Sequence, residues 1–119
     1  MNRVVLLGRL VRDPEVRVTT TGKTVCAFTL AVDRPVGRDG KREADFINIV
    51  AWNKTAEIAG NNLNKGQRAL IEGRLQIRSY NDREGKRQYV AEVIAERVEF
   101  YREKRKNASD PKPATSARL

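Results

Sequence analysis

Residues 45–52 read Asp45-Phe46-Ile47-Asn48-Ile49-Val50-Ala51-Trp52, and the alternation within them fixes how the rest of the chain is read. Successive side chains of a β-strand point to opposite faces. The odd positions Ile47, Ile49 and Ala51 are purely apolar and belong to a core face. The even positions Phe46, Asn48, Val50 and Trp52 form the other face, where two large aromatics share the surface with an amide. Phe46 and Trp52 stand six residues apart, roughly 20 Å along a strand.

Working outward, residues 24–33 alternate as well. Cys26, Phe28, Leu30 and Val32 lie on one face, Ala27, Thr29 and Ala31 on the other, the pattern of a half-buried strand. Residues 3–11 are β-rich and apolar on both faces, with Val5, Leu7 and Val11 on one and Val4, Leu6 and Leu10 on the other. A small barrel cannot use both, so one face is expected to meet another subunit. Asp13-Pro14 breaks this strand and Thr21-Gly22 makes the next turn. Residues 34–44, with two glycines, a proline and four basic side chains, read as a mobile basic hairpin loop.

After Trp52 comes one helical candidate, residues 54–64. Asn53 is its expected N-cap, Ala56, Ala59 and Leu63 fall at helical spacing, and Gly66 is its expected terminator. Gly60 weakens this helix, so packing must hold it. Residues 68–80 and 87–100 are two further strands joined by the polar tip 81–86. On 68–80, Ile71, Gly73, Leu75 and Ile77 are expected to face inward, and Arg74, Gln76, Arg78 and Tyr80 outward. Five strands with a short helix between the third and fourth is the order of an all-β, five-stranded OB-fold barrel, whose middle strands and loops bind oligonucleotides.

Charge points to a similar partner. The chain of 119 residues has a net charge of +9. Residues 1–100 hold 18 Lys and Arg against 13 Asp and Glu, and 101–119 hold 6 against 2. Such a surface favours a polyanion, either nucleic acid or an anionic membrane, although plain solubility is the simpler use of charge. The domain is expected over 1–101, with a disordered basic tail over 102–119 that is rich in proline, serine and cations.

Composition removes most chemistry. There is no histidine, and Cys26 is the single cysteine, so no intrachain disulfide, thiolate metal site or His-assisted nucleophile is available. Asp45, Glu57 and Glu72 are scattered, and Gly8, Gly22 and Gly73 stand alone, so neither a carboxylate cluster nor a phosphate-cradling loop appears. No catalytic residue, metal or cofactor is expected. The apolar run near the N-terminus spans four residues, too few for a membrane span. A cytoplasmic, nucleoid-associated setting is expected.

The candidate site joins the outer faces of 45–52 and 68–80, taken as neighbouring strands: Phe46, Asn48 and Trp52 with Arg74, Gln76, Arg78 and Tyr80. Exposed rings beside guanidinium groups suit single-stranded nucleic acid, because bases stack on the rings while cations follow the phosphates. Arg3, Arg34 and Lys54 add to the field, with Arg38, Lys41 and Arg42 in the loop. Taken singly, Trp52 is equally readable as a cap on the core and Tyr80 as a hairpin-packing residue. An RNA-binding module and a protein-binding adaptor use similar faces.

The same residues resemble the bacterial single-stranded-DNA-binding protein family. The matching segments include 2–10 (Asn2-Arg3-Val4-Val5-Leu6-Leu7-Gly8-Arg9-Leu10), Arg12-Asp13-Pro14-Glu15, Phe28-Thr29-Leu30-Ala31-Val32, residues 44–52, Leu63-Asn64-Lys65-Gly66, residues 71–80 and Tyr89-Val90-Ala91-Glu92-Val93. The resemblance covers residues 1 to about 101. It implies an OB-fold, sequence-independent binding of single-stranded DNA in replication, recombination and repair, and a homotetramer, a dimer of dimers using the first strand through Val5, Leu7 and Arg9. The family's stacking aromatics fall on Phe46, Trp52 and Tyr80. Val36 stands where members often carry another aromatic. The acidic tip by which members recruit replication and repair enzymes has no counterpart in Ser109–Leu119, so that role does not carry over; a short DNA-coating form and a truncated one both fit.

Overall fold

Alternation of apolar and polar side chains builds six strands and one helix in the computed structural model, which describes residues 1–101. The elements are β1 (Val4–Leu10), β2 (Glu15–Val18), β3 (Thr24–Asp33), β4 (Ala44–Trp52), α1 (Asn53–Asn62), β5 (Arg68–Asn81) and β6 (Arg87–Phe100). The expected tail, 102–119, lies outside the described residues. β1 pairs with β5, β5 with β6 in a long hairpin, β6 with β4 in parallel, and β4 with β3. β3 then returns to β1 at Arg9↔Ala31 and Leu10↔Leu30, closing a five-stranded OB-fold ring.

All five expected strands are present. The segment after Asp13-Pro14, read as connecting chain, is instead the short strand β2, paired with β3 from Glu15↔Ala27 to Val18↔Thr24. All four of its residues are exposed, so no burial period marked it in the sequence. β3 imposes its conformation. β1 and β2 act as two halves of the first barrel strand, bent at the proline.

The even positions of β3 and the odd positions of β4 fill the ring. Leu10, Cys26, Phe28, Leu30, Ile49, Ala51, Ile71, Val93 and Val98 are buried, and Ala56, Ala59 and Leu63 bring α1 against the same core. Cys26 is fully buried, and burial pushes its thiol up to about 11, so it stays neutral and packs as a small apolar group. Two glycines permit the closure. A Cβ on Gly8 would sit 2.3 Å from the Ala31 carbonyl oxygen where β1 meets β3, and one on Gly73 would sit 1.9 Å from that of Ile94. Beside Gly73 the β5–β6 register slips between Glu72↔Arg97 and Gly73↔Ala95, leaving Glu96 as an extra residue on β6. Such a bulge bends the pair.

Three local expectations are corrected. Asn53 is not an N-cap: Trp52 holds that position in extended conformation with no side-chain cap bond, and Asn53 itself turns the chain at φ 55°. Asparagine is among the few residues that tolerate this left-handed corner. Gly66 does not end the helix, which stops at Leu63, whose N–H donates to Ala59 O at 2.9 Å. The Gly66 N–H instead donates to Leu10 O at 2.8 Å, tying the α1–β5 turn to β1. Leu75 and Ile77 are 43 % and 56 % exposed rather than internal. β4 pairs with β6 only at Ile49↔Val93 and Val50↔Ile94, so beyond Gly73 the hairpin leaves the barrel and has no core to face.

Candidate nucleic-acid interface

The outer face of β4 is left open by what lies beside it. Across the β3–β4 ladder Phe46 stands opposite Ala31, Asn48 opposite Thr29 and Val50 opposite Ala27. These partners are too small to cover a ring. Phe46 is therefore 68 % exposed and Trp52 40 %, while Thr29 Oγ1 donates to Asn48 Oδ1 at 3.5 Å. Ala27, Thr29, Asn48 and Val50 form the floor of a groove. Arg12, Glu15 and Lys65 line one side, and Arg78, Val90 and Glu92 the other. Trp52 lies at the end near Arg17 and Thr19.

Parity placed Asn48, Trp52 and Arg78 on one surface, and the structure brings them together. The route differs from expectation. β5 is not the neighbour of β4; the strand order is β5–β6–β4, and β6 supplies the wall between them. Arg78 reaches the groove over β6, where its Nε donates to Glu92 Oε1 at 2.5 Å. Glu92 was missed in the sequence, where it reads as one more solvated charge. Arg12, Arg17 and Lys65 also line this surface, and nothing in their sequence surroundings singles them out. The Lys65 N–H is fixed by Asp13 Oδ1 at 2.7 Å.

The other candidates spread along the same side or leave it. Tyr80 is 50 % exposed on the arm of the hairpin, opposite Gln88. Gln76, opposite Glu92, accepts from Arg74 Nη1 at 3.2 Å. Arg74 also lies 3.8 Å from Glu96, and Arg3 is 3.2 Å from Glu72 and 3.8 Å from Glu96, so both belong to a surface ion network around the bulge. Lys54 is exposed at the start of α1. Arg34 clasps the base of the β3–β4 loop: its Nε and Nη2 hold Asp45 Oδ1 at 3.0 and 2.7 Å, and its Nη1 holds Glu43 at 2.9 Å. That guanidinium keeps the Asp45 carboxyl below its usual range, chiefly by hydrogen bonding. All of these pairs are solvent-exposed and weak individually.

On the far side of the barrel, Val5 and Leu7 are 58 % and 47 % exposed. Arg9 donates to the Gly66 carbonyl at 2.9 Å. β3 meets β1 only at Arg9 and Leu10, so no described strand lies along the other edge of Val4–Gly8.

An exposed tryptophan, cations and an amide beside an open groove across a closed five-stranded barrel are features of the OB-fold class, in which this face is the one that binds oligonucleotides. Comparison with known proteins agrees with that class. Residues 1–101 match the model of the single-strand binding protein family. The chain is 56 % identical over 101 residues to a single-stranded DNA-binding protein of Halalkalibacterium halodurans, covering 84 % of this chain and 60 % of that one. It is 53 % identical over 108 residues to single-stranded DNA-binding protein 2 of Listeria monocytogenes, covering 90 % and 68 %. With the single-stranded DNA-binding protein of Clostridium tetani it shares 54 % over 101 residues, covering 84 % and 70 %. The chain belongs to the single-strand binding protein family. It spans about 60–70 % of the length of these curated relatives.

Proposed function

We propose that residues 1–101 bind single-stranded DNA without sequence preference, coating and protecting it during replication, recombination and repair. The observation that carries this is the uncovered groove of β4, where Trp52, Asn48 and Arg78 converge over a floor of small residues. Phe46 on β4 and Tyr80 on β5 add two further exposed rings. Lys54, Arg74, Arg3 and Arg34 supply the surrounding field and Gln76 a polar group; Arg74, Gln76, Arg3 and Arg34 also engage other side chains of the same chain. The relatives named above, single-stranded DNA-binding proteins, support the same substrate.

The working unit in this reading is a homotetramer, a dimer of dimers. Its support is the apolar outer surface of β1, Val5 and Leu7 beside Arg9, together with the unpaired edge of that strand, a template for pairing with a second copy. The protein acts by binding rather than catalysis. Among the described residues no three side chains are grouped to hold a metal ion, and no helix is long and apolar enough to cross a membrane. The place of work is the cytoplasm, at the nucleoid.

Trp52 is the only tryptophan and reports directly on the groove. Its fluorescence should be quenched on titration with oligo-dT, with weaker binding at higher salt. Unchanged fluorescence together with no shift in a labelled oligo-dT would refute the assignment. Stronger binding of matched oligo-U would point to RNA.

A further inference from the structure

Among the described residues Glu92 is the only buried charged side chain. It lies on β6, opposite Gln76, with Arg78 on the diagonal because Arg78 pairs with Val90. A carboxylate taken out of water needs a partner. Glu92 has one: the Arg78 Nε at 2.5 Å, with the Glu92 side chain 6 % exposed and that of Arg78 58 % exposed. The pair is lopsided. One end is fixed in the sheet and the other faces the groove.

The other site cations differ. Arg34 spends Nε and both Nη groups on Asp45 and Glu43. Arg3 and Arg74 share Glu96, whose side chain is 52 % exposed and free to turn away. Arg78 gives protein only its Nε in a hydrogen bond, and its side chain lines the groove. A guanidinium is planar and rigid. A bond from Nε to an immobile carboxylate therefore restricts the directions open to the two Nη groups and the flat face. Long side chains otherwise lose rotamer freedom when they are ordered by a ligand.

We infer that Glu92 is a positioning residue: it holds the Arg78 guanidinium in a preset orientation beside Asn48, Val50 and Trp52, so that its free Nη edge meets the nucleotide chain already ordered. This rests on the reading of the groove as a single-strand DNA site. It carries a consequence opposite in sign to simple electrostatics. Glu92 places a negative charge in a groove meant for a polyanion, and its removal by charge alone tightens binding. Loss of orientation weakens it.

The test is anisotropy of labelled oligo-dT with full-length wild type, Glu92→Gln, Arg78→Ala, the double variant and Arg78→Lys, each checked by thermal melting. Glu92→Gln should bind roughly tenfold more weakly than wild type, the weight of one well-placed charge-assisted contact. In the Arg78→Ala background the same change should tighten binding, since only the charge effect remains. A merely structural Glu92 cannot give that reversal of sign. Arg78→Lys keeps the charge and a partner for Glu92 but not the planar fork, and should lose about as much as Glu92→Gln; it serves if the latter does not fold. Glu92→Gln binding as tightly as wild type or more tightly would overturn the inference, as would wild-type affinity in Arg78→Lys. A Trp52→Ala control that weakens binding while those two do not would leave the DNA site standing and remove only the role of Glu92. Absence of oligo-dT binding by wild type would remove both.

Discussion

Replacing Trp52 by alanine probes the groove at its end, and the structure sets two magnitudes that must be kept apart. The ring is 40 % exposed, so a face is open for a base to stack on. Stacking of one base on an aromatic side chain contributes about 1–3 kcal/mol, which is a loss of roughly 5- to 150-fold in affinity. The buried remainder of the side chain contributes to the fold instead. An indole buries on the order of 200 Å² at most, so burying somewhat over half of it gives about 3 kcal/mol at roughly 25 cal/mol per Å², an upper bound. Trp52→Ala should therefore lower the melting temperature as well as the affinity. Trp52→Phe, which retains a stacking face and much of the volume, should lose less of both. Because the substitution removes the only intrinsic tryptophan, affinity is read from anisotropy of labelled oligo-dT, well below the melting midpoint. Stacking is not counterion release, so the fold-loss should be similar at about 20 mM and about 200 mM salt, whereas removal of a phosphate-contacting cation lowers the salt slope. A Trp52→Ala protein that melts lower but binds like wild type would refute the reasoning, because the ring would then be only a cap on the core.

Gly73→Ala should destabilise by about 1–3 kcal/mol or more in urea unfolding, since the new Cβ meets the Ile94 carbonyl oxygen at 1.9 Å, a backbone atom that cannot swing away; an unchanged midpoint would mean that the bulge absorbs it freely. Leu7→Asp puts a charge on the outer surface of β1, where Leu7 is 47 % exposed, so it should leave the barrel folded and shift sedimentation equilibrium from the proposed tetramer toward smaller species; a mass equal to that of wild type would refute an interface at this surface. At the β5–β6 tip, Asp82 Oδ1 accepts the N–H groups of Lys86 at 2.8 Å and Glu84 at 2.9 Å. These bonds, the one from Lys86 foremost, hold its carboxyl below the ordinary value of 3.8. A depressed folded-state pKa gives stabilisation that is present above the unfolded value and lost as pH falls through the lower folded one. Hydrogen exchange at the Glu84 and Lys86 amides should therefore stay protected at pH 5 and speed up relative to the core only in the acid range below about 4; Asp82→Ala should abolish that protection at every pH.

The sequence determined the parts. Period-two alternation identified the core faces of β3 and β4 and the uncovered surface carrying Phe46, Asn48 and Trp52, and helical spacing identified the closing helix, because which residues share a face of one element is a local property. It also named Arg78 and Tyr80 as lying on the outer side of β5. Tertiary structure decided what these faces met. β2 has no buried residue and exists as a strand only because β3 lies beside it. Leu75 and Ile77 have the parity of core residues, yet the barrel ends before them, a boundary set by where β4 pairs with β6. Asn53 turned out to be a left-handed corner because Trp52 must stay extended at the end of β4 while the helix starts at once. The groove itself depends on strand order. The β5–β6 hairpin sets Glu92, 14 residues along the chain, beside Arg78, and the non-consecutive pairing of β6 with β4 lays that pair along the groove. Alternation reports the face of a strand and nothing about its register or neighbours, so the meeting of Glu92 with Arg78 became visible only in the hairpin register, and its place in the groove only when β6 joined β4.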